Sequence, residues 1–242
     1  MILDVDIGNS RIKWLARSSG SVLNRGSCNS MGDLVELLRD HSVLPQRTRV
    51  CCVGDSTILD QLDDWLQQNQ LPSLERAVAT RFAASVTNGY EQPQRLGVDR
   101  WLVVCAAWDK TRRATVVADA GSAMTVDFID ASGGHCGGYI VPGIAMQQGS
   151  LLANTQQVRF DTEFSSVDLG PGRTTVRAVN NGIARMLTAM IESSAMSFSS
   201  SPNEPPELLL TGGDAPVLGP LLRLPYSFEP DLVLEGINLV MP

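Results

Sequence analysis

Asp6-Ile7-Gly8-Asn9 and Asp119-Ala120-Gly121-Ser122 are two versions of one pattern, Asp-x-Gly followed by a small polar residue, and they lie 113 residues apart. Each closes one apolar run and opens another. Ile2 to Ile7 reads as a strand and Gly8-Asn9-Ser10 as a turn, and Arg11 to Ala16 alternates polar and apolar residues as a returning strand does. Ser18-Ser19-Gly20-Ser21 turns the chain again, and a third strand starts near Val22. The later copy repeats the order. Thr115 to Ala118 is a strand, Asp119 to Ser122 a turn, Met124 to Ile129 a strand, Ser132-Gly133-Gly134 a turn, and Tyr139 to Val141 a strand. Four matched positions alone carry little weight. The same strand–turn–strand–turn–strand order on both sides of the midpoint points to internal duplication.

Working outward, each copy runs into helices. Ser30 can cap a helix, with Asp33 in the capping-box position and Leu34, Leu37 and Leu38 behind it. Arg49 to Val53 reads as a buried strand, and Ile58, Leu62, Trp65 and Leu66 form a helical stripe. Residues 98–109 are expected to be helical, with Trp101, Leu102, Cys105 and Trp108 on the apolar side. In the second half, helices are expected at 144–153 and along Val176, Val179, Ile183, Met186, Leu187 and Met190, with an irregular stretch at 154–172 between them. Residues 193–206 are rich in Ser and Pro and read as a surface loop. Glu207 to Leu210 is a strand ending in Thr211-Gly212-Gly213-Asp214, and a short helix closes the chain from Asp231. Hairpins followed by αβ crossovers, twice over, predict an α/β protein of two domains, 1–112 and 113–242, facing each other across a cleft.

Composition narrows the chemistry. The chain has 242 residues, 19 Lys plus Arg and 26 Asp plus Glu, for a net charge of −7. Proteins that grip phosphate backbones are usually basic, so no nucleic-acid partner is expected. With His41 and His135 the only histidines, multi-histidine metal sites are nearly excluded. The five cysteines include no C-x-x-C pair, so they read as thiols of a reducing compartment. Two acids within the first six residues do not suit a secretory leader, and no apolar run approaches the ~18 residues of a membrane span. A cytoplasmic protein with no membrane partner is expected.

Both Asp-x-Gly turns suit phosphate. Gly8 and Gly121 let backbone N–H groups approach an anion, Asn9, Ser10, Ser122 and Thr125 add short donors, and Lys13 adds a point charge. Asp6 and Asp119 can hold a cation or its waters beside phosphate oxygens. Either turn alone would serve simply to close a hairpin; the pair favours a polyphosphate clamp. Thr211-Gly212-Gly213-Asp214 offers a flat backbone surface to an adenine ring, or else an ordinary loop capped by Asp214. Gly97-Val98-Asp99-Arg100 opens a helix. Asp99 there is either an N-terminal acid favoured by the dipole or a carboxylate base beside an Arg that holds an anionic group. His135 reads as an exposed loop residue and Cys136 has no cationic neighbours in sequence; neither is assigned a role.

Five motifs in order, Asp6–Ser10, Gly97–Arg100, Asp119–Thr125, Gly137–Gly143 and Thr211–Asp214, resemble those of the type III pantothenate kinases. The match spans residues 6–214. The resemblance implies a duplicated actin-like (ribonuclease H-like) α/β fold with a nucleotide cleft between the halves. It also implies ATP-dependent phosphorylation of pantothenate to 4'-phosphopantothenate, the first step of coenzyme A synthesis. On that resemblance Asp6, Ile7, Gly8, Asn9, Ser10, Arg11, Ile12 and Lys13 contact ATP, as does Ser122, while Asp119 binds a monovalent cation, K+ or NH4+. Tyr90, Gly97, Val98, Asp99, Arg100 and Thr175 contact pantothenate, and Asp99 is the proton acceptor; Thr175 is taken over Thr174 because Val follows it. Mg2+ accompanies ATP, and the family forms homodimers with sites near the subunit interface. Ser10 and Ser122 stand where many members have Thr, and both keep the hydroxyl. The rival readings are a kinase for another small hydroxylated acid or sugar, and a non-enzymatic nucleotide-binding accessory protein.

Overall fold

The computed structural model describes residues 1–155, 159–164, 167–198 and 204–242. Strand β1 (Ile2–Ile7) shows how the first sheet is built. Leu3, Val5 and Ile7 are fully buried on one face, and Asp4 and Asp6 point to the other, the two-residue period of a strand. β2 (Ile12–Ser18), β3 (Ser21–Cys28), β4 (Arg47–Cys52) and the two-residue β5 (Glu75–Arg76) complete a sheet of order β3-β2-β1-β4-β5. β1–β2 and β2–β3 are antiparallel; β1–β4 and β4–β5 are parallel.

Two helices cover the Leu3–Val5–Ile7 face: α1 (Met31–Asp40), with Leu34 and Leu38, and α2 (Ser56–Gln68), with Leu59, Leu62 and Leu66. The cap at Ser30 forms, its hydroxyl accepting from the Asp33 amide at 3.1 Å. Asp55 caps α2 by accepting from the Thr57 amide at 2.9 Å, and that bond holds its carboxyl below the usual range. A small hairpin, β6 (Phe82–Ala83) and β7 (Val86–Thr87), then leads to α3 (Val98–Thr111).

The later copy repeats the plan. β8 (Thr115–Ala120), β9 (Ala123–Ile129) and β10 (His135–Pro142) are successive antiparallel strands. α4 (Ile144–Asn154) and α5 (Thr175–Phe198) follow, then β11 (Glu207–Thr211), α6 (Ala215–Leu218) and β12 (Ser227–Phe228). The sheet order β10-β9-β8-β11-β12, with β8–β11 and β11–β12 parallel, matches the first sheet strand for strand. This is the duplication that the repeated turn pointed to, in the actin-like α/β fold that the family resemblance implied.

Three details differ from the expectation. α5 runs to Phe198, so residues 193–198 are helix rather than loop. Ile191 and Ala195 continue its buried face, and the Ser197 hydroxyl bonds back to the Ser194 carbonyl at 3.1 Å. Residues 199–203 of the expected loop lie outside the described residues, as do 156–158 and 165–166 of the irregular stretch. His135 is buried rather than exposed, its Nε2 lying 2.9 Å from Asp127 Oδ1. A bulge between His135 and Gly138, where Gly137 takes a φ of +98°, lets the imidazole reach the neighbouring strand.

The third detail is the last helix, α7 (Leu232–Val240). The chain forms two units, Met1–Lys110 with Asp231–Pro242, and Thr111–Pro230. The C-terminal residues thus belong with the first sheet and not with 113–230, where a division at residue 112 would put them. The cause is on the polar face of β1. Asp4 and Arg49 are paired in parallel register and both fully buried. Arg49 Nε lies 2.7 Å from Asp4 Oδ1 and Nη2 3.0 Å from Oδ2, while Arg17 Nε reaches the same Oδ2 at 3.0 Å. The remaining Arg49 donors go to α7 and its end: Nη2 to Asn238 Oδ1 at 3.0 Å, and Nη1 to the Met241 carbonyl. Leu234 and Ile237 complete the attachment against Leu15, Cys51 and Leu102.

Removing one partner of a buried pair strands the other charge, at a cost of about 3–5 kcal/mol. Asp4→Ala is therefore expected to lower unfolding stability by about that amount, and Asn238→Ala by only ~1 kcal/mol, since it removes a single acceptor from Arg49. Urea unfolding of the two variants measures the difference.

Candidate active site

In the first unit, the Gly8 turn is fixed from behind. The Gly8 amide closes it onto the Arg11 carbonyl at 3.0 Å, and the Ile7 carbonyl accepts from Val53 and Gly54 at 3.1 and 3.0 Å. A Cβ on Gly54 would lie 2.3 Å from the Gly8 carbonyl oxygen, so only glycine allows the loop after β4 to press so closely. Asn9, Ser10 and Arg11 are left exposed at the tip. Asp6 and Lys13 stand opposite each other in antiparallel register and are both half-buried. Ile7 and Ile12 point into the core, so a ligand at this turn could meet only their backbone.

The residues around the Asp99 motif assemble in the same unit. Gly97 starts α3, its carbonyl accepting from the Trp101 amide at 2.9 Å. Asp99 lies in the first turn and curls back so that Oδ1 accepts from the Arg100 amide at 2.8 Å. The helix dipole favours the ionised carboxylate there. Arg100 is only 5% exposed, and its Nη1 donates to the Tyr90 hydroxyl at 2.8 Å. Cys51, which sequence reading left without a role, joins this group. It is the parallel partner of Asp6 in the sheet, is fully buried, and hydrogen-bonds the Asp6 carboxylate. Its thiol is pushed well above the usual range, first by burial and then by the carboxylates of Asp6 and Asp99. Asp6, far from Asp99 in sequence, thus bonds a neutral thiol on which the charge of Asp99 also acts.

The second unit builds its turn by the same rule. The Ala120 carbonyl, equivalent to that of Ile7, accepts from the Asp214 amide at 2.8 Å. Gly212 takes a φ of +96°, and a Cβ there would lie 2.4 Å from the Ala120 oxygen and 2.5 Å from Asp119 Oδ1. The Gly143 amide donates to the Ser122 carbonyl at 2.9 Å. The Thr211–Asp214 and Gly137–Gly143 motifs therefore converge on the Asp119–Ser122 turn. Asp214 occupies the N-cap position of α6 without a side-chain cap bond; its backbone amide serves the turn instead. Asp119 and Ser122 are half-buried at its rim.

Thr175 lies elsewhere in this unit, as the exposed first residue of α5. The neighbouring Thr174 caps that helix, its hydroxyl accepting from the Arg177 amide at 3.3 Å. Both threonines line a groove of about 810 Å³ with Gln147, Leu151 and Met186. Among the described residues no group of three or more His, Cys, Asp or Glu side chains is placed to hold a metal ion.

Gly212→Ala forces an L-residue into a left-handed conformation and pushes a methyl into the turn. It is expected to cost about 1–3 kcal/mol and to weaken nucleotide binding. Gly213→Ala, with nothing within 4 Å of the new methyl, should be neutral within about 0.5 kcal/mol. Urea unfolding together with a nucleotide titration distinguishes the two.

Comparison with known proteins agrees with this architecture. Among solved structures, the chain superposes on a Campylobacter jejuni protein described as a Baf family transcriptional activator, with a TM-score of 0.64 and 22% identity over 99% of this chain and 96% of that one. It also superposes on the activator of the 2-hydroxyisocaproyl-CoA dehydratase from Clostridium difficile with bound ADPNP, with a TM-score of 0.53 and 11% identity over 99% and 92% of the chains. At these identities the likeness is one of fold. Among sequences, the type III pantothenate kinase of Chromohalobacter salexigens is 36% identical across 100% of this chain and 88% of its own length. That of Ectopseudomonas mendocina is 35% identical across 100% and 99%. The family model for type III pantothenate kinase matches residues 2–196, and the chain belongs to that family.

Proposed function

We propose that this protein is a pantothenate kinase that transfers the γ-phosphoryl group of ATP to the primary hydroxyl of pantothenate, giving 4'-phosphopantothenate and ADP and opening coenzyme A synthesis. The observation that carries the reading is the start of α3, where the Asp99 carboxylate accepts from the Arg100 amide and the buried Arg100 guanidinium donates to the Tyr90 hydroxyl. A carboxylate base beside a fixed cation suits an acceptor with both a hydroxyl and a carboxylate.

Phosphoryl transfer needs positioning and charge neutralisation more than covalent help from the protein. The Gly8 turn offers backbone amides and the short side chains of Asn9 and Ser10 to phosphate oxygens, with Lys13 beside them. Asp6 would hold the waters of a magnesium ion carried in by ATP. Asp99 takes the hydroxyl proton as the acceptor oxygen bonds to the γ-phosphorus and the bond to the ADP oxygen breaks. Arg100 holds the acceptor carboxylate, and Tyr90 holds Arg100. On the second turn Ser122 meets the nucleotide and Asp119 would hold K+ or NH4+, which supplies positive charge near the phosphates. Gly97 and Val98, which precede Asp99, add acceptor contacts, and the family resemblance implies one from Thr175 as well.

We further infer a homodimer. The family resemblance implies it, and Tyr139 and Ile140 on β10, Met146 on α4 and Met186 on α5 are exposed large apolar side chains that a second copy could cover. The five cysteines are free thiols, in keeping with a cytoplasmic protein, and no helix among the described residues is long and apolar enough to cross a membrane.

With ATP, Mg2+ and K+, the purified protein should convert pantothenate to a product 80 mass units heavier, roughly the mass of one added HPO3 as expected for phosphoryl transfer. Asp99→Asn should cut turnover by about 10²–10⁴-fold with an unchanged circular dichroism spectrum. Absence of phosphopantothenate from the wild-type reaction would sink the reading. Replacing K+ by Na+ should slow the wild type more than Asp119→Asn, and light scattering should give twice the chain mass.

A further inference from the structure

The segment that carries Tyr90 has little apolar anchorage. Its hairpin has only two residues in each strand, Phe82 is exposed, and between residues 80 and 93 only Val86, Asn88 and Pro93 are buried. Its shape rests on polar bonds. Asn88 is 0% exposed, a buried amide with every strong bond accounted for. Its Nδ2 donates to the Thr80 carbonyl at 3.1 Å and the Pro93 carbonyl at 3.3 Å, and its Oδ1 accepts from the Tyr90 amide at 3.0 Å. Its backbone amide donates to the Arg81 carbonyl at 2.9 Å. Arg81 closes the loop from outside, with Nη1 on the carbonyls of Asn88 and Tyr90 at 3.0 and 3.2 Å and Nη2 on that of Glu91 at 3.2 Å.

This network ends at the site. The Tyr90 backbone is held by Asn88 and Arg81 at once, and its hydroxyl accepts from Arg100 at 2.8 Å. We propose that Asn88, backed by Arg81, is a positioning residue for acceptor recognition, setting the place of Arg100 through Tyr90. The proposal rests on the reading of Arg100 as the group that holds the acceptor carboxylate. Only an amide fits the role. It supplies two donors to converging carbonyls and an acceptor to the Tyr90 amide, whereas Asp, nearly the same shape, would set a carboxylate oxygen against two carbonyl oxygens. A network that is fully satisfied when buried is rigid, and loss of one member leaves several groups unpaired. Neither residue touches the Gly8 turn or the Asp99 carboxylate in any bond described above, so the effect should fall on the acceptor and not on ATP.

Steady-state kinetics on the full-length protein tests this. Asn88→Asp and Asn88→Ala are expected to raise KM for pantothenate roughly ten- to a hundredfold, the scale of an unsatisfied buried group, while kcat and KM for ATP stay within about threefold. Tyr90→Phe should raise the same KM, and the double variant Asn88→Ala/Tyr90→Phe should show clearly less than the product of the two effects, because both act along one path. A merely structural role would instead change kcat or both KM values together in the folded variants, and multiply with Tyr90→Phe; either of these overturns the proposal. Arg81→Met, at an exposed side chain, decides the matter if the Asn88 variants do not fold: a selective rise in acceptor KM supports the proposal, and an unchanged acceptor KM ends it. If the wild type turns over a different hydroxy acid, the functional reading fails while the same KM split, measured with that acid, still tests Asn88. If the wild type phosphorylates pantothenate and the split is absent, only the role of Asn88 falls.

Discussion

Two backbone carbonyls, those of Ile7 and Ala120, organise each half of this protein. Each belongs to the central residue of an Asp-x-Gly turn, and each accepts an amide from the loop that leaves the neighbouring parallel strand. Such bonds require the two backbones almost to touch. That is why Gly54 stands behind the first turn and Gly212 behind the second, where a Cβ would lie 2.3–2.4 Å from a carbonyl oxygen. Fixing the carbonyl from behind leaves the turn's other edge for a ligand. The same contact thus links the parallel β1–β4 and β8–β11 pairings to the presentation of Asp6 and Asp119 at the strand ends.

The opposite faces of β1 serve different ends. One is a continuous apolar layer under α1 and α2. The other alternates two carboxylates, and each has been matched by its neighbour on β4: Asp4 by Arg49, Asp6 by Cys51. The first pair is fully buried and extends to Asn238 and the Met241 carbonyl, so its main effect is to select where α7 docks. A buried ion pair adds little net stability compared with apolar packing, but it penalises any arrangement that leaves one member alone. The second pair lies nearer the strand end, where a neutral thiol accompanies Asp6 without cancelling its charge.

Net charge alone would suggest that an acidic chain is a poor host for ATP and a carboxylic acid. The local arrangement answers this. On the proposed reading, the amino end of α3 and the buried Arg100 would supply positive potential at short range, where desolvation strengthens it.

Much of the fold was legible in the amino-acid order because its signals are local. The two-residue alternation in Ile2–Ile7, the Ser30 cap, the apolar stripe of α2 and the recurrence of Asp-x-Gly each depend on neighbours within a few positions. The candidate site was legible as five short motifs, since turns and helix starts also declare themselves locally. Tertiary structure alone decided the docking of α7, which depends on Arg49 meeting a residue 189 positions later. It also decided the burial of His135, which requires the bulge at Gly137, and the extension of α5 through serines kept helical by packing on Ile191 and Ala195. Cys51 belongs with these: a thiol carries no motif, and its importance arises only when the parallel β1–β4 pairing sets it beside Asp6. Asn88 stands two residues from Tyr90, but its link to the site appears only when folding sets the Tyr90 hydroxyl against Arg100. The sequence determined the elements and the groups able to do chemistry, because those are fixed by short-range sterics and periodicity. Which distant groups share a site was left to the tertiary structure, because long-range contacts form only when burial and hydrogen-bond satisfaction are met across the whole chain at once.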